Sequence, residues 1–485
     1  MVGEKLTMSY SSLSKEVKAS LWFMIASFFQ KGMVALTTPI FTRIMSPDQY
    51  GKFMVYMSWY EIVFLFATLN FAAGVYNNAM IKFDGDRSGY TSSIQTLSFL
   101  CTLIVFVIYW SFSDFFNRTT GLDTNLFTLL FLQILFMPSI LFWSARERFE
   151  RRYIALVVVT IAMSLLNPVL GILTVINTDS KIVARILGVV VVQVGFGLVF
   201  TIIQYGKGRS LMNLKYWKYA LGLGIPLLPH YLSMVVLNNT DRIIIEHFEG
   251  EDKAAIYSVA YSAAMMMMVA VTSINATFVP WTYTKLKEKA YSEIGKYANV
   301  LLMLVGALCL LLIAFGPEII MILAPKEYYE AIWVLPPVGL GAFFIFQYSL
   351  YANIEFYFER KYFVLVASLS VAIISVGLNW LLIPVYGYLT AGYVTLFTYL
   401  LFSVMHYIFM RITLNKEIIR NNIYNLRLII ILSLAILVFS MIFMYMYEFA
   451  LIRFVIACAL FLFLYIKRDS IKEIYSGMKD KTSLS

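Results

Sequence analysis

The chain has 485 residues, 60% of them hydrophobic and 14% charged, with a formal net charge of +10 and a mean hydropathy of +0.77. A soluble domain carries about 25% charged residues, so this composition excludes a water-facing globular surface and leaves the bilayer as the solvent. The positive charge does not point to nucleic acid, because the basic residues sit in short loops between apolar runs, where orientation signals belong.

The N-terminus is polar to Lys18 and then enters a full-length apolar run, which reads as a first span rather than a cleavable leader. In chain order the apolar runs predict an all-α membrane protein of about fourteen spans: 19–42, 53–78, 91–113, 125–144, 153–176, 182–205, 219–240, 254–280, 298–323, 330–356, 362–384, 388–410, 428–447 and 449–466. With the N-terminus inside, 28 of the 38 Lys and Arg fall on the inner side and nine on the outer. That bias alternates loop by loop and predicts both termini in the cytoplasm.

Residues 1–206 are expected to form an N-terminal lobe of spans 1–6. The basic, aromatic segment 207–218 reads as a cytoplasmic interfacial linker. Residues 219–411 would form a C-terminal lobe of spans 7–12, with spans 13–14 in 424–467 and a cytoplasmic tail at 468–485. No extramembrane segment exceeds about 20 residues, which leaves no room for a soluble catalytic or nucleotide-binding domain. Cys101, Cys309 and Cys458 are dispersed, as are His230, His247 and His406, and no metal or nucleotide motif is present. No enzyme activity, cofactor or metal is expected. Met265–Met268 reads as flexible packing.

Ionisable groups inside spans are the candidate functional residues, since each costs about 2.5–3.5 kcal/mol at the bilayer centre and needs a partner or water. Lys31 in span 1 and Glu61 in span 2 lie at similar depth, either as a structural ion pair or as the lining of a hydrated cavity. In span 7, Pro226 and Pro229 precede His230 and should bend or break the helix, as cargo-binding spans often are. Asn275 and Gln347 are neutral polar groups suited to cross-helix bonds or to sugar hydroxyls. Asp241, Arg242 and Arg185, near outer helix ends, read as snorkelling groups or as an outer gate. Glu355 and Glu359 should join Arg360 and Lys361 in a solvated inner cluster.

The run Arg43-Ile44-Met45-Ser46-Pro47-Asp48-Gln49-Tyr50-Gly51, with Ser46 as N-cap, Pro47 at N1 and Gln49 closing a capping box, starts span 2. A faint echo follows span 7, at Asp241-Arg242-Ile243-Ile244 and Ala255-Ile256-Tyr257-Ser258. Both stretches resemble the Wzx-type polysaccharide and O-antigen flippases of the multidrug/oligosaccharidyl-lipid/polysaccharide superfamily. The resemblance implies a flippase in the bacterial cytoplasmic membrane that carries an undecaprenyl-diphosphate-linked oligosaccharide by alternating access. It also implies membrane lipids, a coupling H⁺ or Na⁺ and a polysaccharide polymerase as partners. Lys31 would attract the diphosphate, Glu61 would tune it, and His230, Asn275 and Gln347 would face cargo. The competing readings are a cation-coupled drug exporter, which favours a more acidic lumen, and a membrane polymerase or glycosyltransferase.

Overall fold

The computed structural model describes residues 15–419, 423–466 and 468. The polar N-terminus before residue 15, Arg420 and most of the basic tail lie outside them. Among the described residues there are seventeen α-helices and no strand. The chain divides into two compact units, Met1–Ile243 and Ile244–Ser485. The first holds α1 (Lys15–Ile44), α2 (Pro47–Thr68), α3 (Val75–Lys82), α4 (Arg87–Ser111), α5 (Ser113–Thr120), α6 (Thr124–Phe149), α7 (Tyr153–Ile176), α8 (Lys181–Gly208) and most of α9 (Leu214–Glu249). The second holds α10 (Glu251–Lys287), α11 (Tyr291–Ala314), α12 (Gly316–Leu323), α13 (Ala331–Tyr357), α14 (Lys361–Tyr386), α15 (Leu389–Lys416), α16 (Leu426–Tyr445) and α17 (Ala450–Ile466).

Eleven of these helices, α4, α6–α11 and α13–α16, are long and apolar enough to cross a membrane. The protein is thus a multi-pass membrane protein. Adding the more polar α1 and α2 and the shorter α17 is compatible with about fourteen spans, although the expected run 298–323 is divided between α11 and α12. Apolar side chains exposed along these helices, such as Leu36, Ile202, Ile373 and Leu451, are those a bilayer would cover. The start of α2 is built as its sequence implies. Ser46 Oγ accepts from Gln49 N at 3.4 Å, and Gln49 Oε1 accepts from Ser46 N at 3.0 Å, a complete capping box.

Three expectations change. First, the run 53–78 is not one helix: α2 ends at Thr68, and Leu69 and Asn70 both adopt left-handed backbone, with φ of 49° and 47°, before α3 begins. Second, α9 is not broken. It runs 36 residues through Pro226 and Pro229. Each proline removes one donor, and Ser233 Oγ donates to the Pro229 carbonyl at 2.8 Å. Third, the division falls within α9 and not at 207–218. That segment is tied to the first unit: Asn213 N donates to Ser93 Oγ at 3.0 Å, Trp217 Nε1 to the Ser93 carbonyl at 2.9 Å, and Tyr216 Oη to Asp86 at 2.7 Å. The start of α9 is carried with it. Leu211, Met212 and Leu214 remain exposed beside Lys207, Arg209 and Lys215, the pattern of a segment lying in a membrane interface.

In the first unit α8 packs against α4, α6 and α7. In the second, α13 is the central helix, flanked by α10, α11 and α15. The buried aromatics Tyr56, Tyr60, Tyr109, Phe127 and Phe131 fill the core between α2, α4 and α6.

Candidate functional site

Lys31 lies thirteen residues before the end of α1 and Glu61 fourteen after the start of α2, so both sit about 20 Å along their helices from the connecting turn. Both side chains are exposed, and no ion pair joins them. The structural-pair alternative therefore falls away. At membrane depth an exposed ammonium and an exposed carboxyl need water.

The unwound segment 69–74 lies beside α9. Phe71 packs against Gly224, and a Cβ on Gly74 would collide with the Tyr231 hydroxyl. Gly224 and Tyr231 are ten and seventeen residues into α9, about 15–26 Å from its start, so the break is at membrane depth. Turn bonds recover part of its backbone, from Ala73 N to the Asn70 carbonyl at 3.1 Å and from Tyr76 N to the Phe71 carbonyl at 3.1 Å. Irregular backbone at this depth persists only where protein buries it or water reaches it. Here Ala73, Asn77 and Asn78 are exposed and His230, next to Tyr231, is half-buried. The first unit thus carries polar groups near the break, with Asn77 and Asn78 exposed and Asn70 and His230 half-buried. Sequence reasoning placed the broken helix on α9; it is α2–α3, and α9 is its neighbour. Two successive left-handed residues without glycine leave no compositional signal.

In the second unit the expected polar groups bond to protein. Asn275 and Ser349 join α10 to α13 through contacts of 3.1 and 3.3 Å. Gln347 is buried; Ser433 donates to its Oε1 at 3.3 Å and its Nε2 donates to Tyr351 at 3.4 Å, tying α13 to α16. The inner cluster divides. Glu359 is exposed and Arg360 pairs with Glu417 at 2.7 Å, whereas Glu355 is fully buried and bonds His406 Nδ1 at 2.9 Å. That pair was missed because its members are fifty-one residues apart on different helices. Arg453 was missed likewise. It is 1% exposed, forks onto Glu318 at 2.7 and 2.5 Å, and fixes α17 to α12.

Of the gating candidates, Asp241 and Arg242 are 3% and 7% exposed. They do not snorkel, because α9 continues two further turns beyond its expected end at residue 240. Arg242 Nη1 donates to the Asn238 carbonyl at 3.2 Å. Arg185 lies over the Phe41 and Phe53 rings, 3.9 and 4.5 Å from their centroids, and so clamps α1 and α2 onto α8. Its Nε and Nη1 are buried without hydrogen-bond partners. Outside the spans, Glu330 accepts from Tyr388 at 2.5 Å and from Lys253 at 2.9 Å, and these bonds hold its carboxyl below the usual carboxylate range. Among the described residues no group of His, Cys, Asp and Glu is arranged to hold a metal.

The family model for "polysaccharide biosynthesis protein" matches residues 17–286. Lsg locus putative protein 1 of Haemophilus influenzae is 26% identical over 156 residues, 30% of this chain and 36% of that protein, so the match spans only about a third of the relative's length. Among solved structures, the lipid II flippase MurJ in an inward closed conformation superposes with a TM-score of 0.69 at 15% identity, covering 93% of this chain and all of that one. An inward-facing multidrug resistance transporter of the MATE family, in the MOP superfamily, gives 0.59 at 14% identity over 81% of this chain and 96% of the other. A MOP superfamily transporter from Pyrococcus furiosus gives 0.57 at 15% over 83% and 95%. At these identities the likeness establishes a shared fold.

Proposed function

The chain belongs to the polysaccharide biosynthesis protein family, and from that premise we propose that it is a flippase. Its cargo is an undecaprenyl-diphosphate-linked oligosaccharide, moved from the inner to the outer leaflet of the bacterial cytoplasmic membrane by alternating access. The observation that carries the reading is Lys31: an exposed ammonium at membrane depth, unpaired with Glu61, in the same unit as a broken helix lined by asparagines. A fixed cation without a bound carboxylate suits a diphosphate, which supplies the missing negative charge. Asn70, Asn77, Asn78 and His230 offer the neutral donors and acceptors that sugar hydroxyls need, while the lipid tail can stay in the bilayer. Glu61 tunes the charge of the site, and Arg185, Asp241 and Arg242 serve as gate residues.

The test is purified protein in liposomes, with polyprenyl diphosphate bearing N-acetylglucosamine as the probe. Flipping moves the sugar into the protected lumen without new glycosidic bonds. Lys31→Ala is expected to insert normally and to lose at least about tenfold in flipping rate, the equivalent of about 1.4 kcal/mol, while Lys31→Arg retains most of it. Full transport by well-inserted Lys31→Ala refutes this site. Export of organic cations in place of the probe would assign the chain to drug efflux, and new glycosidic bonds would make it an enzyme.

A further inference from the structure

The second unit holds a titratable pair that the proposed cargo site does not use. Glu355 on α13 and His406 on α15 are both 0% exposed and meet at 2.9 Å through Oε1 and Nδ1. Their other ends, Glu355 Oε2 and His406 Nε2, are buried with no hydrogen-bond partner. The imidazole is enclosed by rings: Tyr348 stacks on it at 5.4 Å and Phe402 meets it edge-on at 4.6 Å.

Titratable and charged groups stand on the elements around the pair. On α13 and α15 they include the phenols Tyr348, Tyr351 and Tyr407 and, five residues beyond His406, Arg411, and before α16 comes Tyr424, which donates to the Leu350 carbonyl. Arg360 is bound to Glu417 at 2.7 Å. On α10, Lys285 is held by Glu288 and Glu293 at 2.9 and 2.8 Å. On α12, Glu318 is held by Arg453, and α11 brings Cys309, whose thiol faces the Gly339 carbonyl. The sequence of α14 contains no carboxylate or histidine, and its one cation is Lys361 at the first position. Among the described residues the ionisable partner of Glu355 is His406, so the proton on the pair itself decides its charge.

That fixes the charge count. With one acid proton shared, the pair is neutral overall, as carboxylic acid and imidazole or as carboxylate and imidazolium. Without it, one uncompensated negative charge remains in an apolar site, which costs several kcal/mol. With both groups protonated, one uncompensated positive charge remains at similar cost. The site therefore stores one proton, and gives it up only when water reaches α13 and α15.

We infer that Glu355 and His406 form the binding site for a coupling proton, exchanged with water when the pair is wetted and held when it is sealed. This rests on the flippase reading for what the proton drives, but proton binding itself is measurable without cargo. The chain has only three histidines. Replacing His230 and His247 with Gln leaves His406 as the sole histidine signal in nitrogen-labelled protein. Across about pH 5 to about pH 9, the expected result is a His406 resonance that moves together with a carboxylic-acid infrared band. Glu355→Gln, which is isosteric and keeps the helices packed, should remove the band and displace the His406 midpoint by about one pH unit or more. A midpoint unmoved by Glu355→Gln, or a carboxylate ionised throughout, overturns the inference. If Glu355→Gln fails to fold, the same band is followed in His406→Gln, where a titration identical to wild type overturns it equally.

The coupling arm uses liposomes containing a pH dye and the same sugar-bearing polyprenyl diphosphate. Probe movement should shift the dye in wild type and not in Glu355→Gln. Probe that crosses without moving protons refutes coupling and leaves the flippase intact. A wild type that titrates at the pair yet moves no probe refutes the flippase reading for this cargo, and the coupling role with it.

Discussion

Gly188 on α8 is where two helix backbones touch. A Cβ built there would stand 2.5 Å from both Cα and N of Gly171 on α7, against 3.4–4 Å for ordinary contact. Gly188→Ala therefore demands a separation of about 1 Å between two main chains, neither of which can rotate away as a side chain would. A gap of that size forfeits roughly a quarter to a half of each local dispersion contact. The strain also reaches Arg185 and Phe41, which lie against Gly171. The expected loss is about 1–3 kcal/mol. The same helix supplies its own control, since Gly195 and Gly206 have nothing within 4 Å of a built Cβ. There alanine relieves the glycine entropy penalty and should be neutral or stabilising by up to about 0.5–1 kcal/mol. Melting temperatures in detergent should rank Gly195→Ala and Gly206→Ala at or above wild type, with Gly188→Ala clearly below. Equal stability of Gly188→Ala and Gly195→Ala would show that close backbone approach does not hold α7 to α8.

Two further outcomes follow from the charged groups. Arg453→Ala and Glu318→Ala should each destabilise, and the double variant should cost less than their sum, with a coupling of about 1–3 kcal/mol from melting curves; strict additivity would mean that the short bonds of 2.5–2.7 Å contribute nothing net. Glu330 has its folded carboxyl lowered by bonds from Tyr388 and Lys253, so its contribution exists above the ordinary carboxylate range and is lost as pH falls through the lowered value. Melting temperature against pH should show the wild-type advantage over Glu330→Gln shrinking with acid, by a modest amount because the side chain is 57% exposed; a constant advantage down to full protonation would refute the assignment.

The spans were legible because apolar length is a local property. Lipid leaves a helix as the only way to satisfy the backbone, and run 153–176 coincides with α7 at both ends. The capping box at Ser46 and Gln49 was legible for the same reason, since both partners lie within one turn. The break at Leu69–Gly74 was hidden because nothing local requires it. Leu69 and Asn70 adopt left-handed backbone without a glycine to signal it, while the prolines that advertise a break in α9 are carried within a continuous helix. Burial of charge was the least readable feature. Glu355 has Arg360 and Lys361 close by in sequence, yet its partner is His406, and Asp241 and Arg242 look terminal only if α9 is cut short.

The polar groups of the two units are spent differently, and that difference bears on mechanism. In the second unit these polar side chains are committed to protein: Asn275 to Ser349, Gln347 to Ser433, Glu355 to His406 and Arg453 to Glu318. In the first, Lys31, Glu61, Asn77 and Asn78 are exposed, and an unwound segment separates α2 from α3. A group already bonded to protein must break that bond before it can bind cargo, whereas an exposed one exchanges only water. On the proposed flippase function, recognition of a charged lipid headgroup is assigned to the first unit. The second, internally paired, carries the buried Glu355–His406 pair inferred to hold a proton.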